Sequence, residues 1–91
     1  MSSRGVVVYV VDDDVSIRQA LRLLLEAHEF RVETFSSAKE FLAFKHFKLS
    51  SCLLLDVEMP DLKGPALQEL MTERKLTIPI VFITGHGSIP I

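Results

Sequence analysis

Ninety-one residues, 48% hydrophobic and 24% charged, fit one small folded domain and exclude fibrous and disordered chains. A formal net charge of −2, with Lys and Arg scattered, offers nucleic acid no basic face. The single cysteine, Cys52, excludes an internal disulfide and an all-cysteine metal site, and no run reaches the roughly 20 apolar residues that span a bilayer. Residues 1–4 lead into the first apolar run without a signal-peptide cleavage pattern, so the cytoplasm is the expected location.

Residues 6–11 (VVVYVV) form a continuous β-branched run, expected of a central strand covered on both faces. From Val15 the period changes. Ile17, Leu21, Leu24, Leu25 and His28 recur at helical spacing while Arg18, Gln19, Arg22, Glu26 and Glu29 take the other face, an amphipathic helix with Asp13 or Asp14 as N-cap. Residues 30–35 alternate Phe, Val and Phe with Arg, Glu and Thr, a strand near a sheet edge. Ser37 and Glu40 have capping-box spacing ahead of Phe41, Leu42 and Phe44, which predicts a second helix to about His46.

Residues 52–56 (CLLLD) are the third strand, followed by a Pro- and Gly-punctuated loop over 59–64. Pro65 suits the first turn of a third helix whose apolar stripe is Leu67, Leu70 and Met71. Residues 78–83 are the fourth strand, with Pro79 near its start, and 84–88 are a polar loop. The order β-α-β-α-β-α-β implies an α/β fold: a doubly wound parallel sheet with helices on both faces and ligands beyond the carboxyl ends of its strands. Asp12, Asp13, Asp56 and Thr84 all fall at that end.

An acid at the end of an apolar strand is costly unless paired, and two such ends side by side pool negative charge suited to a divalent cation. Mg²⁺ takes oxygen ligands and typically one or two carboxylates, leaving positions for water and a phosphate oxygen. Asp12 or Asp13, Asp56, and a main-chain carbonyl just beyond it meet that need. Asp56, alone on its strand, is the candidate nucleophile for an aspartyl phosphate, with Thr84 able to donate its hydroxyl to a phosphoryl oxygen and Gly85 permitting close backbone approach. The competing reading of the acids is helix capping for the triplet and a turn for Asp56. His28 is expected to pack on its helix stripe, His46 to be a solvated helix end, His86 to lack metal partners, and Glu58 and Asp61 to face water.

Val10 to Asp14, residues 54–61 (LLDVEMPD) with Gly64, and residues 82–87 (FITGHG) resemble the receiver domain of bacterial two-component response regulators, most closely the FixJ-type branch. The resemblance covers essentially all 91 residues and implies a flavodoxin/CheY-like sheet of order 2-1-3-4. It further implies that Asp56 accepts phosphate from a sensor histidine kinase, that Asp12, Asp13, Asp56 and the Glu58 carbonyl hold Mg²⁺, and that Thr84 is the switch hydroxyl. The implied role is a non-enzymatic signalling module controlling a transcriptional output domain that this chain does not contain.

Against the family pattern, the chain is expected to lack the last helix-strand-helix region, with its lysine and the aromatic partner of the switch threonine; neither Lys63 nor Lys75 stands in the lysine's place. The fourth strand is then expected to expose an apolar edge and to recruit a second copy as a homodimer or segment-swapped oligomer. A dimerisation module without phosphate chemistry is the alternative reading. A haloacid-dehalogenase-like phosphatase, suggested by the Asp56-Val57-Glu58 spacing, fits less well because the acid cluster precedes it.

Overall fold

The computed structural model describes residues 6–44, 50–56, 64–75 and 77–83. Its elements run β1 (Val7–Val11), α1 (Val15–Ala27), β2 (Arg31–Phe35), α2 (Ala38–Ala43), β3 (Ser51–Asp56), α3 (Gly64–Glu73) and β4 (Ile80–Ile83). The four strands form one sheet of order β2-β1-β3-β4 in which every neighbouring pair is parallel. β1 is central and buried along its whole length, as its unbroken β-branched run requires.

Alternation along β1 divides the core. Val7, Tyr9 and Val11 join Phe35, Leu53 and Leu55 beneath α2 and α3, whose buried contributions are Ala38, Phe41, Leu67 and Met71. Tyr9, Phe35, Phe41 and Phe44 interlock there, with ring centroids of Phe35 and Phe41 5.4 Å apart at an edge-to-face angle of 79°. Val8, Val10 and Val32 face the other way, against Leu21 and Leu25 of α1 and against Phe30, Cys52 and Leu54. Helices thus cover both faces, the doubly wound arrangement.

α1 begins where Asp14 accepts hydrogen bonds from the main-chain N–H groups of Ser16 at 2.8 Å and Ile17 at 3.4 Å, which makes Asp14, not Asp13, its N-cap. It ends in a Schellman turn. Glu29 adopts φ 66° while the N–H groups of Glu29 and Phe30 donate to the carbonyls of Glu26 at 3.0 Å and Leu25 at 3.1 Å. That turn puts His28 at the exposed C-cap instead of on the packed stripe. The stripe itself is narrower than its spacing suggests: Ile17, Leu21 and Leu25 are half-buried, but Leu24 is 57% exposed and its neighbour Leu23 71%.

Three other elements depart from the sequence reading. β2 sits at the sheet edge as expected, yet Val32 and Phe35 are three residues apart and enter opposite cores, so its apolar residues do not share one face. α2 stops at Ala43, short of His46, because Phe44 turns extended (φ −67°, ψ 140°) and its ring stacks on those of Tyr9 and Phe35. Ser37 caps it by accepting from the Glu40 N–H at 3.0 Å, but the Glu40 carboxylate reaches back to the Ser36 hydroxyl at 2.9 Å and not to the Ser37 N–H of a closed capping box.

β3 gains Ser51 at its start, and β4 starts two residues later than expected, at Ile80. Pro79 has no N–H to give the ladder, although its carbonyl accepts from Leu53 N–H at 2.9 Å. On β4, Val81 is 50% and Phe82 42% exposed. No helix among the described residues is long and apolar enough to cross a membrane.

Candidate functional site

Strand register brings the acids together. Val11 of β1 pairs with Leu55 of β3, so the next residues, Asp12 and Asp56, emerge side by side at the carboxyl edge of the sheet. Both are buried, whereas Asp13 is exposed. Carboxylate oxygens from Asp12, Asp13 and Asp56 lie within 4.8 Å of one another. The same register pairs Asp56 with Ile83 of β4, the residue before Thr84. Glu58, Asp61, Lys63, Thr84, Gly85, His46 and His86 lie outside the described residues.

Asp12 is held at nearly every polar atom. Its N–H donates to the carbonyl of Phe35 at 3.1 Å, its Oδ1 accepts from the Asp14 N–H at 2.9 Å, and its own carbonyl accepts from Arg18 Nη1 at 2.7 Å. The remaining atom, Oδ2, is buried and has no hydrogen-bond partner among the described residues. Burial raises the Asp12 carboxyl above its ordinary value; the Asp14 N–H pulls it back, and the negative charges of Asp56, Asp13 and Asp14 push it further up.

A buried carboxylate oxygen with no partner among the described residues, beside two further carboxylates, concentrates negative charge at this strand edge. Hard oxygen donors at this spacing, one side left exposed at Asp13, fit a small hard cation such as Mg²⁺ and do not fit a thiolate- or imidazole-seeking metal. Cys52 takes no part; it is half-buried in the α1-side core, and burial pushes its thiol up.

Arg18 is the residue that sequence reading misplaced. Assigned to the solvated face of α1, it is half-buried, and its guanidinium bonds a carbonyl of the acidic loop. The signal was available in the spacing: a cation four residues past the N-cap Asp14 lies one turn above it and can fold back over the loop.

Comparison with known proteins places this geometry in a family. Residues 8–91 match the response regulator receiver domain. The response regulator protein TodT of Pseudomonas putida is 43% identical over 90 residues, which is 99% of this chain and 40% of TodT. The transcriptional regulatory protein FixJ of Rhizobium meliloti is 37% identical over 83 residues, covering 91% of this chain and 41% of FixJ. Among solved structures, the response regulator StyR superposes with a TM-score of 0.81 at 49% identity, over 94% of this chain and 43% of StyR. FixJ-N gives a TM-score of 0.81 at 36% identity, over 96% of this chain and 70% of its own. The chain therefore spans about two-fifths of the length of the curated relatives it matches. With its sheet order, its strand-end acids and these relatives in agreement, the chain belongs to the response regulator receiver domain family of two-component systems.

Proposed function

We propose that residues 1–91 act as one phosphoacceptor unit, in which Asp56 takes a phosphoryl group from a histidine of a sensor kinase. The observation that carries this reading is the convergence of the Asp12, Asp13 and Asp56 carboxylates at the carboxyl edge of β1 and β3, with Asp12 Oδ2 unpartnered among the described residues. In the step, a carboxylate oxygen of Asp56 attacks phosphorus and a new P–O bond forms as the P–N bond to the kinase histidine breaks; the phosphoimidazole, already protonated on its other ring nitrogen, leaves as neutral imidazole carrying that proton. Asp12, Asp13, Asp56 and the Glu58 carbonyl would hold Mg²⁺, which offsets negative charge on the phosphoryl oxygens. Thr84, one residue past the Asp56-paired Ile83, would donate its hydroxyl to a phosphoryl oxygen once the group is in place.

The chain's own contribution is positioning. The parallel ladder sets Asp56 beside Asp12, and the Asx turn from Asp12 to Asp14 fixes the orientation of the Asp12 carboxylate. This is signal transfer and not turnover, so the chain is assigned no enzymatic activity of its own.

The chain acts in the cytoplasm, and the partners that follow are a sensor histidine kinase and a transcriptional output domain, in keeping with the transcriptional regulatory protein FixJ among its relatives. Self-association through the β4 edge belongs to the same reading, supported by the exposure of Val81 and Phe82. Incubation with acetyl phosphate and Mg²⁺, followed by intact mass, tests it: one phosphoryl group is expected on the chain and none on Asp56→Asn. An unmodified chain would leave a receiver-fold interaction module instead, and sustained hydrolysis of phosphate esters would indicate a phosphatase.

A further inference from the structure

A guanidinium that reaches an acidic loop ordinarily pairs with a carboxylate. Among the described residues Arg18 forms no ion pair. Its Nη1 donates to the main-chain carbonyl of Asp12 at 2.7 Å, and its own main-chain N–H donates to the Asp14 carbonyl at 3.1 Å, so both ends of the residue grip the acidic loop. The carbonyl of Asp12 belongs to the Asp12–Asp13 peptide plane. Fixing it fixes the direction in which Asp13 leaves the strand end, and Asp13 is exposed, with little packing to orient it otherwise.

We propose that Arg18 is a positioning residue for the cation site: by clamping the Asp12–Asp13 peptide through the Asp12 carbonyl it keeps the Asp13 carboxylate convergent with those of Asp12 and Asp56. This inference rests on the cation reading of the site given above. Two features point to an ion and not to a self-contained loop: the Asp12 side chain is buried with Oδ2 unpartnered among the described residues, and the Arg18 guanidinium bonds the Asp12 carbonyl, not that oxygen.

The sign of the effect separates positioning from simple electrostatics. Arg18 is a positive charge close to a site for a positive ion, so if charge were its whole contribution, removing it would tighten Mg²⁺ binding. If it positions, removing it loosens binding, and partners that orient ligands typically matter about tenfold or more for metal affinity.

The experiment is Mg²⁺ titration by calorimetry on the wild-type chain, Arg18→Met, which keeps the apolar stem and loses the donors, and Arg18→Lys, which keeps the charge and loses the planar fork. Thermal unfolding in EDTA runs alongside. Arg18→Met is expected to bind Mg²⁺ about tenfold more weakly in a folded protein, with Arg18→Lys between it and wild type. A purely structural role would lower the EDTA melting temperature and leave the affinity of the folded chain unchanged, which overturns the proposal, as does equal or tighter binding by Arg18→Met. Should Arg18→Met not fold, Arg18→Lys decides alone: weaker binding supports the clamp and wild-type affinity overturns it. If the wild-type chain takes up no Mg²⁺, the cation reading itself falls, an outcome distinct from any difference among the variants.

Discussion

Replacing Asp12 by Asn should stabilise the protein in the absence of divalent cations and destabilise it relative to wild type in their presence. Asp12 has carboxylate oxygens of Asp13 and Asp56 within 4.8 Å, a distance at which like charges repel by about 0.9 kcal/mol in water and about 3.5 kcal/mol at an effective dielectric of 20. Asp13 is exposed and belongs near the lower figure, while Asp56 is buried and belongs nearer the upper. Asn keeps the Oδ1 acceptor for the Asp14 N–H and replaces the orphaned Oδ2 by a neutral donor. Allowing for imperfect geometry, Asp12→Asn should gain about 1–3 kcal/mol in EDTA at pH 7, a rise of about 5–15 °C in melting temperature for a domain of this size.

The pH dependence has a definite sign. Because burial raises the Asp12 carboxyl, the native state holds its proton more tightly than the unfolded chain, and wild-type stability falls as pH rises through the native-state value. The advantage of Asp12→Asn is therefore full above that value and fades as pH falls toward the ordinary 3.8. Mg²⁺ at about a thousandfold excess over its Kd reverses the order: it adds about 4.1 kcal/mol to wild type, more than the gain of the variant, and little to the variant. Urea denaturation from pH 4 to 8, with EDTA or Mg²⁺, measures all of this. A variant no more stable than wild type in EDTA at pH 7 would refute the electrostatic reasoning.

Other positions give independent tests. Asp14→Ala should cost about 1 kcal/mol through loss of the α1 N-cap, while Asp14→Asn should retain most of that stability in the same urea titration. Glu29→Gly should gain about 0.5–1 kcal/mol, since glycine occupies the positive-φ position of the Schellman turn without steric cost. Phe41→Ala, which removes a fully buried ring packed on Tyr9 and Phe35, should cost about 3–5 kcal/mol and leave a chain of this size largely unfolded by circular dichroism. Cys52 should alkylate with iodoacetamide more slowly in the native state than in urea at pH 8, because its half-buried thiol is disfavoured as thiolate.

What the sequence made legible was set by backbone period and strand ends. An unbroken apolar run such as residues 6–11, five Val and one Tyr, has one solution in an alternating chain, the covered centre of a parallel sheet, and Asp12 and Asp56 then share an edge because β1 and β3 are neighbours. Less legible were features decided by tertiary contact. Leu24 fits the helical spacing of Leu21 and Leu25, but nothing among the described residues covers it, so spacing alone overstated the packed stripe. Phe44 reads as a continuing helix and instead leaves it to join an aromatic cluster whose other members come from β1, β2 and α2. Arg18 reads as solvent-facing because a helical wheel sets it opposite the apolar stripe; only its spacing of four residues from Asp14 points to the carbonyl in the preceding loop. Val32 and Phe35 looked like one face of a strand, and the odd spacing between them sends them to opposite cores.

Asp56 as the cation-dependent phosphoacceptor is tested most directly by trapping the modification in place. The chain is treated with acetyl phosphate and Mg²⁺, any acyl phosphate is reduced with borohydride to homoserine, and the site is read by peptide mass spectrometry. The account predicts conversion at Asp56 alone, abolished by EDTA; conversion at another acid, or conversion indifferent to EDTA, would contradict it.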